Sequence, residues 1–188
     1  MAAPGEAKFS GRFTKVGKPA FTPKPVIIKD ADGKSCATIN LNDTAETPFS
    51  FTAKAAGFYT MTADVGSHAF GLSATSVPIA VVPGLARTVF ATQGTLFFRA
   101  APDMPFVVAV SGADMSERVR AQVSDPAGKV QWEADQIGEW VAYRSDAHPA
   151  EGLWRITFSR AKGYPFEDFS VLQQGAFPDL FLTPEKCW

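Results

Sequence analysis

Apolar and polar residues alternate with a period of two along most of this chain. In AHPAEGLWRITF, residues 147–158, Trp154, Ile156 and Phe158 fall on one side, with Arg155 and Thr157 on the other. That is the pattern of a half-buried strand whose tryptophan points into a core rather than at a ligand. In ERVRAQVS, Val119, Ala121 and Val123 alternate with Arg118, Arg120 and Gln122; a DPAGK turn and KVQWEAD follow, which predicts a hairpin. Further strands are predicted at KPVIIKD, ATINLN, FSFTA, FGLSA, GTLFFRA, FVVAVSG, WVAYRS and FSVLQQ. No stretch keeps a helical period over three turns, and SVPIAVVPGLA predicts at most one short helical turn. Short, regularly spaced strands with turn signals predict an all-β chain built from antiparallel β-sandwiches of immunoglobulin-like or jelly-roll type.

The strand pattern occurs twice. AAGFYTMT, residues 55–62, matches AEGLWRIT, residues 150–157, at an offset of 95 (152 minus 57). The same offset pairs KDADGK (29–34) with SDPAGK (124–129), VVPGL (81–85) with AFPDL (176–180), and Gly17 with Gly112. Turns and strands kept in one register imply an internal duplication, hence two tandem sandwich repeats. Residues 1–22 read as an N-terminal arm or linker, 23–88 as the first repeat and 89–188 as the second. The Lys- and Pro-rich KVGKPAFTPKP reads as an extended, edge-blunting segment. The second repeat opens with ATQGTLFFRA, whose counterpart would precede Met1, leaving a sheet edge in the first repeat that needs cover.

Composition narrows the partners. A formal net charge of -1 gives no electrostatic footprint for nucleic acid or for an anionic membrane surface. No apolar run reaches the roughly 20 residues of a membrane helix, so membrane insertion is not expected. MAAPGEAKFSGRF lacks the apolar segment of a signal peptide, so an exported form is expected to have lost its leader. Cys36 and Cys187 allow one disulfide, which would close a loop of about 150 residues and stabilise by roughly 5 kcal/mol if unstrained; two unrelated thiols are the alternative. Neither has the companions of a zinc site.

Candidate chemistry is sparse. A Ser/His/Asp hydrolase would have to recruit His68 or His148 with Ser67, yet no GxSxG elbow exists. Glu133, Asp135 and Glu139 cluster near two tryptophans as a glycosidase pair would, but a solvated acidic edge explains them and is the favoured reading. Asp30 and Asp32 alternate as in a calcium loop and are the weak candidate for a metal; the later ligands are missing and a plain turn explains them better. No catalytic residue or cofactor is therefore expected. QWEADQIGEWVAYRS, residues 131–145, stands apart because Trp132, Trp140 and Tyr143 replace Ala37, Ala45 and Pro48 of the first repeat. Aromatic rings beside hydrogen-bonding side chains suit a polysaccharide, whose sugars show apolar faces and polar rims. The candidate ligand-binding set is Trp132, Trp140 and Tyr143 with Gln131, Glu133 and Arg144. Inward packing of Trp132 and Tyr143 beside Val130 or Val141 is the competing reading.

GTLFFRA, VAVSG, VRAQVSDPAGKV and PAEGLWRITF together resemble the bacterial pre-peptidase C-terminal (PPC-like) β-sandwich group. More closely, they are similar to the paired β-sandwich regions appended to large secreted glycoside hydrolases and bacterial surface proteins. The resemblance covers residues 90–182 well and 24–88 more loosely, through GFYTMTAD and SVPIAV. It implies a secreted or cell-surface, noncatalytic accessory module, often carbohydrate-binding, beside the catalytic domain of a parent protein. The alternative is a structural spacer or protein-interaction module. The matching positions are turns and core, so no ligand residue carries over.

Overall fold

The computed structural model describes residues 4–15, 25–41, 44–65, 68–81, 87–89, 94–114, 116–175 and 181–182. The chain forms two compact units, Met1–Pro78 and Ile79–Trp188. The first holds β1 (Gly5–Lys15), β2 (Pro25–Lys29), β3 (Ser35–Asn40), β4 (Thr47–Ala53), β5 (Thr60–Ala63) and β6 (His68–Thr75). The second holds β7 (Ala80–Val81), β8 (Arg87–Val89), β9 (Gly94–Ala100), β10 (Val107–Gly112), β11 (Val119–Ser124), β12 (Val130–Ile137), β13 (Val141–Arg144), β14 (Gly152–Arg160), β15 (Phe169–Gln174) and β16 (Phe181–Leu182). Every expected strand is present, and no helix occurs among the described residues.

Each unit is an antiparallel β-sandwich. In the first, sheets β4-β1-β6 and β3-β2-β5 share a core in which Phe13, Phe49 and Phe70 of one meet Val26, Ile39 and Met61 of the other. In the second, β13-β10-β15-β8 and β12-β11-β14-β9-β16-β7 enclose Phe98, Val108, Val110, Val123, Trp154, Ile156 and Phe169, all buried. Trp154 is 3% exposed, and its ring meets Phe106 edge-on at 4.9 Å, as the alternation of its strand requires.

The duplication is visible residue by residue in one sheet of each unit. Val26 faces Ile39 and Ala63. Its counterpart Ala121 faces Ala134 and Phe158, so all three positions recur at the offset of 95 seen in the sequence. The bulge between Ile28 and Lys29 recurs between Val123 and Ser124. The hairpin turns coincide too: Asp30 and Asp125 each accept the amide of the residue four on, Lys34 and Lys129, at 2.9 Å, with Gly33 and Gly128 at φ 77° and 87°. Gly57 and Gly152 likewise stand at the entry to equivalent strands, β5 and β14. The other sheet departs from the common register. Phe13 faces Phe70, whereas Val108 faces Gln173 rather than residue 165, because a longer loop separates β14 from β15.

Three expectations are corrected. Gly5–Lys15, read as arm, is the middle strand of its sheet, pairing with β4 and β6; Ala7, Phe9 and Phe13 are its buried apolar side chains. The division falls after Pro78 rather than after residue 88. Ala80–Val81, in the segment expected to hold a helical turn, is strand β7. The remainder of that segment beyond Val81, Gly17, residues 176–180, Ser67, Cys187 and most of KVGKPAFTPKP lie outside the described residues.

Candidate functional site

The aromatic residues singled out from the sequence divide. Trp132 and Tyr143 stand on β12 and β13, the end strands of the two sheets, and turn inward against the core that includes Val123 and Ile156. Their ring centroids are 6.4 Å apart and their planes 35° from parallel, so they form a wedge between the sheets rather than a flat platform. Tyr143 also meets Phe106 and Trp154, and desolvation pushes its phenol above its ordinary range. Trp140, 50% exposed, stands clear of that wedge. Arg144 is exposed, and Gln131 donates to Asp125 Oδ2 at 2.7 Å.

Glu133 lies on the opposite, outer face of the second unit's larger sheet. Arg120 binds it at 2.6 Å and Gln122 donates to it at 3.0 Å; these bonds, Arg120's foremost, hold its carboxyl below the ordinary range. Strand register sets this face out in rows. Phe97, Arg155, Ser124 and Val130 lie side by side across β9, β14, β11 and β12. The next row is Thr95, Thr157, Gln122 and Glu133. Together with Gly128 of the hairpin turn, seven of these eight residues, all but Glu133, line an open depression of about 330 Å³. Four strands about 4.8 Å apart give it a floor roughly 14 Å across.

The floor is chemically mixed. Phe97 and Val130 supply apolar surface, and the Thr95 and Thr157 hydroxyls lie 2.9 Å apart in a mutual hydrogen bond. Gln122 uses its amide N–H on Glu133, which leaves its carbonyl oxygen as an acceptor. The depression escaped the sequence reading because its rows join four strands distant in sequence. One signal was present: at an offset of 95, Arg155, Gln122 and Glu133 stand where the first repeat has Thr60, Ile27 and Thr38.

Among the described residues, those weighed for catalysis and metal do not assemble; Ser67 and the His68 side chain lie outside them. His148 pairs with Asp103 on the surface, both side chains more than three-quarters exposed. Asp135 accepts the Lys162 amide at 3.2 Å while Glu133 is held by Arg120, so the two carboxylates face different partners. Asp30 Oδ1 is taken by the amides of Asp32 and Lys34, which makes it a turn cap. Among the described residues, no group of three or more His, Cys, Asp or Glu side chains could hold a metal ion. Cys36 is an exposed free thiol.

No family model matches the chain, and no curated protein matches it either. Among solved structures it is similar to the N-terminal CBM22-1-CBM22-2 tandem domain of Paenibacillus barcinonensis Xyn10C, at 9% identity. That similarity covers 93% of this chain and 80% of the other, with a TM-score of 0.24.

Proposed function

We propose that the protein is a noncatalytic accessory module whose second unit binds a glycan in the depression on its outer sheet face. The supporting observation is the pair of cross-strand rows, which sets apolar Phe97 and Val130 beside Arg155, Gln122 and two threonines. Sugars need both surfaces, an apolar one under their C–H faces and directed donors and acceptors for their hydroxyls. In this reading the protein works outside the cell beside a carbohydrate-active enzyme, as the sequence resemblance implies.

Affinity electrophoresis against soluble neutral and acidic polysaccharides tests the reading. Retardation by at least one glycan is expected, with Phe97→Ala and Gln122→Ala each weakening it roughly tenfold, about 1.4 kcal/mol, and Trp140→Ala leaving it intact. Unretarded migration in every gel would overturn it. The inward packing of Trp132 and Tyr143 favours the second reading, a spacer or protein-interaction module, and that outcome would leave it standing.

A further inference from the structure

We infer that the glycan taken by this depression is acidic, and that Arg155 receives the carboxylate of a uronic acid residue. The inference rests on the glycan reading above and adds the class of sugar.

Arg155 is half-buried on the outer face of β14, between Phe97 and Ser124 in its row. The carboxylates beside the depression are engaged elsewhere. Glu133 is matched by Arg120 at 2.6 Å. Asp125 gives one oxygen to the Lys129 amide and the other to Gln131. The Arg155 guanidinium has no hydrogen-bond acceptor, ion-pair partner or stacked ring among the described residues. A fork of five donors set into a partly desolvated floor, with its neighbouring carboxylates already bound, is arranged to receive an external anion.

The surroundings hold the fork in place. A Cβ on Gly128 would come within 2.6 Å of Arg155 Nη2, so the bare glycine leaves the room in which the guanidinium lies. The fold itself does not require this arginine, because the first repeat forms the same strand pairing with Thr60 at that position. A carboxylate fits better than a neutral hydroxyl, since it can take two parallel N–H bonds, each charge-assisted and roughly twice as strong as a neutral one. Thr157 and the free carbonyl of Gln122 lie in the adjacent row for the hydroxyls of the same sugar. A formal net charge of -1 supplies no general attraction for polyanions, so retention of one would report a local site.

The test compares polygalacturonate, the same polymer with its carboxyls methyl-esterified, neutral xylan and glucan, and a sulfated galactan, in affinity gels at about 0.15 M salt, where long-range attraction is screened. Polygalacturonate is expected to retard the protein, and esterification to weaken that at least tenfold. Arg155→Gln should do the same, and Arg155→Lys should restore part of it; thermal unfolding verifies that both variants fold. Equal retardation by the esterified or neutral polymers would overturn the acidic-sugar inference and leave glycan binding intact. Retardation by the sulfated galactan alone would also overturn it. Retention unchanged by Arg155→Gln would remove Arg155 from the site. No retardation by any polymer would remove both readings.

Discussion

Tyr59 and Trp154 occupy the same place in the two copies, and each donates its only polar hydrogen to the carbonyl four residues upstream. Tyr59 Oη reaches Ala55 O at 3.0 Å, and Trp154 Nε1 reaches Ala150 O at 2.8 Å. Two different aromatic groups thus do one structural job. The ring packs on a buried phenylalanine, Phe51 for Tyr59 and Phe106 for Trp154, and its polar edge ties down the loop that leads into the strand. This bond assigns Trp154 to architecture in a way that alternation alone could not.

Removing these groups separates the two parts of the job. Tyr59→Phe keeps the ring and loses the bond, so it should cost about 1 kcal/mol. Trp154→Ala loses the ring as well, and with it contacts to Phe98 and Phe106; the expected cost is about 3–5 kcal/mol. Urea denaturation of each variant gives both values. A Trp154→Ala variant as stable as the parent would contradict the core assignment.

Gln173 faces the core of the second unit at 2% exposure, and neither atom of its amide has a hydrogen-bond partner among the described residues. A buried amide without partners costs about 1–3 kcal/mol. Gln173→Met fills a similar volume without that cost, so it should raise the midpoint of urea unfolding. A lowered midpoint would mean that the amide is satisfied by solvent.

The fold was more legible than the site, and the reason is locality. Strands announce themselves by alternation within a few residues, so all eight runs read as strands alongside the hairpin were found. Gly5–Lys15 was missed because Ala7 and Gly11 dilute its apolar stripe, although Phe9 and Phe13 keep the period. The site depends on cross-strand register, which joins Phe97 to Arg155 and Arg155 to Ser124 over long stretches of chain. The large rings of Trp132 and Tyr143 are the most conspicuous differences between the repeats, yet they pack inward. The same comparison flags Arg155 against Thr60, but an arginine on the outer side of a strand reads as solvated until its neighbours are known.

Glu117 gives a pH-dependent prediction. Desolvation, followed by the nearby Asp114 charge, raises its carboxyl above the ordinary value of 4.5. The folded state therefore holds this proton more tightly than the unfolded chain. The group costs no stability below about pH 4, and its penalty grows as pH rises through the unfolded value toward the folded one, remaining at neutral pH. Glu117→Gln keeps an acceptor for the Asp114 amide, which Glu117 binds at 2.8 Å. The variant should melt higher than the parent at pH 7, with the gap closing by about pH 4. A gap independent of pH would show that charge is not the cause.

Gly33 and Gly128 separate backbone strain from site geometry. Both hold left-handed backbone in equivalent turns, φ 77° and 87°, so alanine at either should cost about 1–2 kcal/mol. Their surroundings differ. A Cβ at Gly33 meets open space, whereas one at Gly128 meets the Arg155 guanidinium. Because that group is the tip of a flexible side chain, it moves rather than the backbone, and the added stability cost is small. Both variants should therefore lose similar stability, while only Gly128→Ala displaces Arg155 and weakens retention on polygalacturonate. Thermal unfolding and affinity electrophoresis of the pair check this together. Equal retention by the two would mean that the position of the guanidinium does not matter to the ligand.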